Sequence, residues 1–347
     1  MHKIDCCTSG MKAGIGQAMS DNPKTESLNV AILIPVYNDW DSLRRLLLEL
    51  SAVSAKCDFA ASIVVVNDGS DHAVGQAFTT ELIVEPVRAI EVIHLHLNLG
   101  HQSAIAVGLS EILHRHHSDV VIVMDADGED RPEDVERFVQ AHYLTPGSII
   151  VAQRSRRSEG LAFRFLYGIY KLIFRLFVGK NLDFGNFCLI PSAHLGRLAF
   201  DPMTWNHLAA AISRSQLHVE KLRSDRGTRF HGKSSMSLQK LISHGLSAVS
   251  VYLDVAMIRI LVLSSMIMLV ALVGVLTVIW FRLFTELAIP GWATSAVGVL
   301  SIIGLQGLIL STIASFLVLR TRSGISLIPA IDGTKFISRV EQILSDG

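Results

Sequence analysis

Two uncharged apolar runs, Ile260 to Phe281 and Trp292 to Leu319, constrain this chain more than any other feature. About 20 consecutive apolar residues cross a bilayer as a helix. The link between the runs, Arg282 to Gly291, holds Glu286 and the turn pair Pro290-Gly291, so the spans are expected to form a hairpin with a small loop on the far side. Lys233, Lys240 and Arg259 precede the first span and Arg320, Arg322 and Lys335 follow the second, against Arg282 alone in the loop. That asymmetry predicts that both hairpin ends, and the large N-terminal portion, face the cytoplasm. Gln306 with Gly298, Gly304 and Gly307 suits a helix-helix or subunit contact, and hence a homo-oligomer.

The rest of the chain reads as a globular domain. Its 31 basic and 31 acidic residues leave no net charge, which argues against nucleic acid as a partner because such a partner needs a basic stripe. The cysteines at 6, 7, 57 and 188 match neither a zinc site nor a disulfide framework and read as reduced thiols. Residues 1–27, polar and without apolar period, read as a flexible N-terminal tail.

From Leu28 onward, short apolar runs alternate with helical stretches. Strands are expected at 30–34, 62–66, 89–94, 120–124 and 148–152, and helices at 41–53, 102–114 and 132–142. Continuous apolar strands are buried on both faces, so the alternation predicts an α/β fold with a mainly parallel sheet. In such sheets the ligand lies beyond the carboxyl ends of the strands. Those ends read Pro35-Val36-Tyr37-Asn38-Asp39, Asn67-Asp68-Gly69-Ser70, Asn98-Leu99-Gly100-His101 and Asp125-Ala126-Asp127. Two carboxylates in one tight turn suit a hard divalent cation that also binds diphosphate oxygens, which points to Mg²⁺ or Mn²⁺.

Taken in order, these motifs resemble those of family-2 glycosyltransferases with the GT-A nucleotide-sugar fold, and among them the polyprenyl-phosphate sugar transferases. Ile34-Pro35-Val36-Tyr37-Asn38-Asp39 corresponds to Pro-x-Tyr-Asn-Glu, Asn67-Asp68-Gly69-Ser70 to Asp-Asp-Gly-Ser, and Asn98-Leu99-Gly100-His101-Gln102 to Asn-x-Gly-Lys-Gln. Asp125-Ala126-Asp127 is followed by Pro132-Glu133, completing a likeness that runs from about Val30 to the end of the second span. The resemblance implies an inverting transfer from a nucleotide-sugar, with a uridine nucleotide favoured, to a polyprenyl phosphate at the cytoplasmic face of a bacterial inner membrane. It implies a nucleotide-sugar pocket of Pro35, Tyr37, Asp39, Asp68, Asn98, Gln102, Asp125, Ala126 and Asp127, with Asp127 as metal ligand.

Downstream, Arg154 and Arg157 match the family's Arg-x-x-Arg segment, and clustered guanidinium groups suit phosphate. Residues 161–180 alternate apolar and basic side chains in the manner of an amphipathic helix lying in a membrane interface. Asn186 stands where relatives usually have an acidic turn near the sugar. A phosphate acceptor is already anionic near neutral pH, so the absence of a general base there is tolerable. Arg226, Arg229, Lys233 and Ser234 resemble the element that binds the lipid phosphate or the departing diphosphate, with Ser235 in place of the usual lysine.

The expected organisation is a glycosyltransferase domain over 28–232, a juxtamembrane segment over 233–259, spans at 260–281 and 292–319, and a cytoplasmic tail over 320–347. Two other readings compete. A processive polysaccharide synthase needs more spans and a Gln-x-x-Arg-Trp motif that does not occur here. An inactive scaffold, drawing on the departures at Asn67, Asn186 and Ser235, would bind nucleotide without turnover.

Overall fold

Ile32, Leu33 and Ile34 have no exposed surface because their strand is central in a sheet covered on both faces. The computed structural model describes residues 28–55, 59–71, 87–154, 182–231, 245–285, 291–323 and 326–344, with isolated positions at 168, 175, 176, 178 and 179. The chain begins with β1 (Leu28–Val36), α1 (Trp40–Ser54), β2 (Phe59–Asn67) and β3 (Val87–Leu95). It continues with α2 (His101–Arg115), β4 (Val120–Val123), α3 (Glu133–Leu144), β5 (Ile149–Arg154) and β6 (Cys188–Pro191). Then come α4 (Ser192–Ala199), α5 (Leu208–Arg214), β7 (Val219–Ser224) and two long helices, α6 (Leu253–Phe284) and α7 (Trp292–Ser323). The short α8 (Pro329–Asp332) and β8 (Ile337–Leu344) follow.

One sheet holds these strands in the order β7-β5-β6-β4-β1-β2-β3-β8. β4, β1, β2 and β3 run parallel, so their carboxyl ends share one edge, while β6 and β8 are antiparallel to their neighbours. This is the mixed α/β fold with a mainly parallel sheet that the alternation predicts. The apolar faces of α1 and α3 cover one side with Leu43, Leu46, Leu50 and Phe138, and α2 covers the other with Ile105, Leu109 and Ile112.

α6 and α7 pack as an antiparallel hairpin joined across residues 285–291, and each has 32 residues. At 1.5 Å per residue each is roughly 48 Å long, more than the roughly 30 Å of hydrocarbon in a bilayer. The first helix therefore starts before the charge-free run and carries Asp254 and Arg259 in its first turns. Its outer surface is apolar and exposed, with Leu263, Met266, Leu269 and Val270 among the side chains there. Gly274, Gly304 and Gly307 lie at the contact between the helices, whereas a Cβ added to Gly298 would meet nothing within 4 Å. A Cβ on Gly307 would meet the Ser264 carbonyl oxygen at 3.1 Å and Met268 Cβ at 3.3 Å, and Ser264 Oγ lies 2.7 Å from Ser311 Oγ. Gly307→Leu is expected to force the helices apart at a cost of about 1–3 kcal/mol, seen as a lower melting temperature in detergent. An unchanged melting curve would remove this packing account.

The helices leave the sheet by a defined joint. Arg214 at the end of α5 donates to both carboxylate oxygens of Asp254 at 2.9 and 3.0 Å and to the Val251 carbonyl at 2.6 Å. Tyr252 donates its hydroxyl to the Ala210 carbonyl. After α7 the chain returns to the sheet, and β8 pairs antiparallel with β3 from Leu344 opposite Ile90 to Ile337 opposite Leu95. Where the sequence reading has only a tail, this segment closes the β3 edge of the sheet. An uncovered edge strand presents unpaired N–H and C=O groups, so β8 fills a position the fold would otherwise expose. Both ends of the hairpin are thereby anchored to the same domain.

Candidate functional site

The carboxyl ends of β1, β2, β3 and β4 carry the loops 37–39, 68–71, 96–100 and 124–132. The first two are tied together: Asn38 donates its amide N–H to Ser70 Oγ at 3.0 Å, and Asp71 donates its own to Asn38 Oδ1 at 3.0 Å. The Tyr37 hydroxyl donates to Asp71 Oδ2 at 3.3 Å, and Tyr37 is 46% exposed. Asn38 takes φ 53°, a conformation that Asn tolerates better than most residues.

Asp68 is buried, and its two oxygens accept from the amides of Leu99 at 2.7 Å and Gly100 at 3.0 Å. It thus fixes the third loop to the second. Burial pushes its carboxyl above the usual range, with the two amides opposing. Gly69, at φ 64°, lets the loops touch. A Cβ there would fall 2.5 Å from the Asn98 nitrogen. Asn98 itself is exposed. Gln102 Oε1 accepts from the Leu208 amide at 2.8 Å, so this side chain holds the first turn of α5.

Asp127 is the centre of an acidic group. Its Oδ1 accepts from the Glu129 amide at 2.9 Å, while its Oδ2 lies 3.7 Å from Arg229 Nη1. The same guanidinium approaches Asp39 Oδ2 at 3.6 Å, so Arg229 bridges carboxylates from the ends of β1 and β4. Burial raises the Asp127 carboxyl above the usual range, nearby Glu129 and Asp39 add to it, and Arg229 with the Glu129 amide offsets only part. Arg226 pairs with Glu129 at 2.5 Å.

The segment carrying these arginines docks on the Asp127 turn through two backbone bonds, Gly227 N–H to the Glu129 carbonyl and Phe230 N–H to the Asp127 carbonyl, each 2.9 Å. Gly128, at φ 84°, has the Phe230 ring where a side chain would stand, and Arg45 lies 4.4 Å above that ring.

Beside this group, Asp125 Oδ1 lies 3.3 Å from His101 Nε2, and the Asp125 backbone N–H donates to the buried Asp130 at 2.9 Å. Asn186 Nδ2 lies 3.1 Å from the same His101 nitrogen, and Asn186 Oδ1 is buried without a hydrogen-bond partner among the described residues. Of the residues singled out from sequence, Asp39, Asp125, Asp127, Asn186, Arg226 and Arg229 thus meet at this edge of the sheet. Pro35 and Ala126 are buried in the strand and core, leaving only their backbone to face a ligand. His101, Glu129 and Asp130 are the contacts that sequence reading leaves out, and the position of His101 beside Gly100 in a matched motif was the available signal. The side chain of Arg154, together with Arg157, Lys233, Ser234 and most of the 161–180 segment, lies outside the described residues, as does the 1–27 tail.

No group of three or more His, Cys, Asp or Glu side chains forms a ready cation cage among the described residues. The donor set nevertheless fits a Mg²⁺-like ion, which keeps few protein carboxylates and takes its other ligands from phosphate and water. The half-compensated Asp127 carboxyl has the chemistry that such a ligand requires.

Residues 31–200 match the family model described as Glycosyl transferase family 2. An undecaprenyl-phosphate 4-deoxy-4-formamido-L-arabinose transferase of Pectobacterium atrosepticum is 30% identical over 227 residues, covering 62% of this chain and 64% of the relative. The chain thus spans a little under two thirds of that relative's length. The protein of the same description from Sodalis glossinidius is 29% identical over 264 residues, covering 74% of this chain and 77% of the relative. Among solved structures, glucosyl-3-phosphoglycerate synthase from Mycobacterium tuberculosis, in complex with Mn²⁺, UDP-glucose and phosphoglyceric acid, aligns with TM-score 0.48 and 10% identity over 66% of this chain and 80% of that one.

Proposed function

We propose, from the premise that this chain carries a glycosyl transferase family 2 domain over residues 31–200, that it moves a sugar from a nucleotide-sugar to a polyprenyl phosphate at the cytoplasmic face of a membrane. One observation carries the choice of a lipid acceptor. α5 is tied at its start to Gln102, next to His101 of the site, and at its end to Asp254 at the root of the membrane hairpin. A helix of 7 residues, about 10 Å, therefore separates the site from the first apolar span. The match to undecaprenyl-phosphate sugar transferases supports the same acceptor class.

In this reading Tyr37, Asp39 and the loop braced by Asp68 receive the nucleoside. Asp125 and the buried, unpartnered Asn186 Oδ1 are assigned to the sugar hydroxyls, which are donors that such acceptors suit. Asp127 would hold Mg²⁺ or Mn²⁺, whose chemistry is to neutralise charge on the departing diphosphate. Arg229 and Arg226 lie beside it and add cationic hydrogen-bond donors. Arg154, Arg157, Lys233 and Ser234 are assigned to the lipid phosphate and the diphosphate. The acceptor oxygen attacks the anomeric carbon as the diphosphate leaves, so configuration inverts. The acceptor is anionic at neutral pH and needs no carboxylate base, which accords with Asn at 186. Catalysis is then chiefly positioning and electrostatic stabilisation.

The test is transfer from radiolabelled UDP- and GDP-sugars into extractable lipid by the purified full-length chain, with polyprenyl phosphate and Mg²⁺ or Mn²⁺. Metal-dependent label in the lipid is the expected result, strongest with a UDP-sugar and absent with Asp127→Ala. Nucleotide binding without transfer across the panel would instead support the inactive scaffold.

A further inference from the structure

Asn67 departs from the aspartate of the matched Asp-Asp-Gly-Ser motif, and the structure gives the departure a partner. Asn67 ends β2, is 7% exposed, and lies with its Nδ2 3.0 Å from His94 Nδ1 on β3. On the far side of the ring, His94 Nε2 is 3.2 Å from Glu341 Oε2 on β8. The other end of the Asn67 amide, Oδ1, accepts the Ser70 N–H at 3.0 Å. A continuous chain therefore runs from Glu341 through His94 and Asn67 to Ser70, whose Oγ in turn accepts the Asn38 N–H.

The donors and acceptors admit one arrangement. Glu341 as a carboxylate only accepts, so His94 Nε2 carries the hydrogen. Asn67 turns its NH₂ toward the ring, so Nδ1 must be the bare acceptor and His94 is neutral. Burial, with Arg339 adding to it, holds His94 below the usual histidine range, and the ionisable groups facing it among the described residues are Glu341 and Arg339, both on β8. A proton on Nδ1 would oppose the Asn67 NH₂. Turning the amide over to relieve this would remove the acceptor from Ser70.

We infer that Asn67, His94 and Glu341 form a positioning relay through which the strand following the membrane hairpin sets the nucleotide-binding loop Asp68–Asp71. The inference rests on the proposed nucleotide-sugar reading for its effect on binding, but its geometry is testable without substrate. Asn67 here is the residue that a neutral His94 requires; an aspartate has no hydrogen to give Nδ1.

The experiment uses the full chain in detergent or nanodiscs. Long-range ¹⁵N–¹H spectra at neutral pH should show His94 as the neutral Nε2–H tautomer. Glu341→Ala, an edit on the partly exposed edge strand, should speed Ser70 amide exchange about tenfold, the loss expected from weakening a hydrogen-bond hold. Exchange of Ile32 and Ile63 in the core should be unchanged. Binding of UDP or GDP with Mg²⁺ should weaken by a similar factor. His94→Leu should repeat both effects, whereas His94→Gln, which retains one acceptor for Asn67 and one donor for Glu341, should restore both. Unchanged Ser70 exchange in Glu341→Ala, or an Nδ1–H tautomer, would overturn the relay. If the wild-type chain bound neither nucleotide, the transfer reading would fail, and Ser70 exchange and the tautomer would still decide the relay.

Discussion

Asp127→Asn is expected to lower sugar transfer by at least about a hundredfold, in the range found when a group stabilising transition-state charge is removed, while leaving the folded protein as stable as before or more so. Opposite movements of activity and stability follow from one cause. Burial pushes the native Asp127 carboxyl above its usual value of 3.8, and Glu129 and Asp39 reinforce the shift. A carboxyl raised in the folded state binds its proton more tightly there than in the unfolded chain. Stability therefore falls as pH rises from the ordinary carboxylate value through the raised native one, and at neutral pH the ionised group is a standing cost. Asparagine keeps the shape and the acceptor for the Glu129 amide and removes that charge.

The stability difference between wild type and variant should disappear below the ordinary carboxylate range, where both forms are uncharged. Mg²⁺ with UDP should raise the wild-type melting temperature and leave the variant unmoved. A variant that melted well below wild type at neutral pH would show that Asp127 is a structural carboxylate. Competition by protons for the same group should also weaken Mg²⁺-dependent nucleotide binding at a higher pH than for an ordinary carboxylate.

The second large effect is expected at Gly69. Gly69→Ala places a methyl 2.5 Å from the Asn98 nitrogen and 2.6 Å from the Leu97 carbonyl carbon, both rigid backbone, at a residue with φ 64°. Left-handed backbone alone costs a non-glycine residue about 1–2 kcal/mol, and relieving the clash requires the 96–100 loop to move off Asp68. The total should be about 3 kcal/mol of stability, with at least a tenfold loss of nucleotide affinity. Gly100→Ala supplies the contrast. Its φ of 91° is also strained, yet nothing lies within 4 Å of the added methyl. It should therefore cost less than Gly69→Ala in both stability and binding. Equal effects at the two glycines would mean that backbone strain, and not the contact between loops, governs the site.

Much of this architecture is legible in the sequence. The five strand expectations beginning at 30–34 each overlap an observed strand, with ends displaced by up to three residues, and the three helix expectations match α1, α2 and α3. They were readable because buried parallel strands are uniformly apolar and the helices between them have one apolar face. The strands that were not expected share a different character. β6 is only Cys188–Pro191, too short to show a period, and β7 reads Val-Glu-Lys-Leu-Arg-Ser with half of its positions exposed. In β8, Ile337, Val340, Ile343 and Leu344 recur at intervals that suit a helix as well as a strand. Its conformation is settled by the free edge of β3, more than 240 residues earlier in the chain.

The site divides in the same way. Residue types at strand ends announced Asp39, Asp125 and Asp127, because a parallel sheet delivers its loops to one edge whatever the details of packing. Their partners were not announced. Arg229 comes to Asp39 and Asp127 only because Gly227 and Phe230 hydrogen-bond to the Asp127 turn. Asp68, placed in the nucleotide-sugar pocket by the resemblance, has both oxygens engaged by the Leu99 and Gly100 amides.

The sequence by itself determined the class of fold, the two long apolar helices and the edge of the sheet at which the candidate site lies, since each depends on local composition and periodicity. Only the tertiary structure decided that the C-terminal segment joins the same sheet, that α5 bridges candidate site and hairpin, and that Asn67 meets His94. Those facts depend on hydrogen bonds between residues far apart in the chain, and such a bond leaves no pattern in either segment alone.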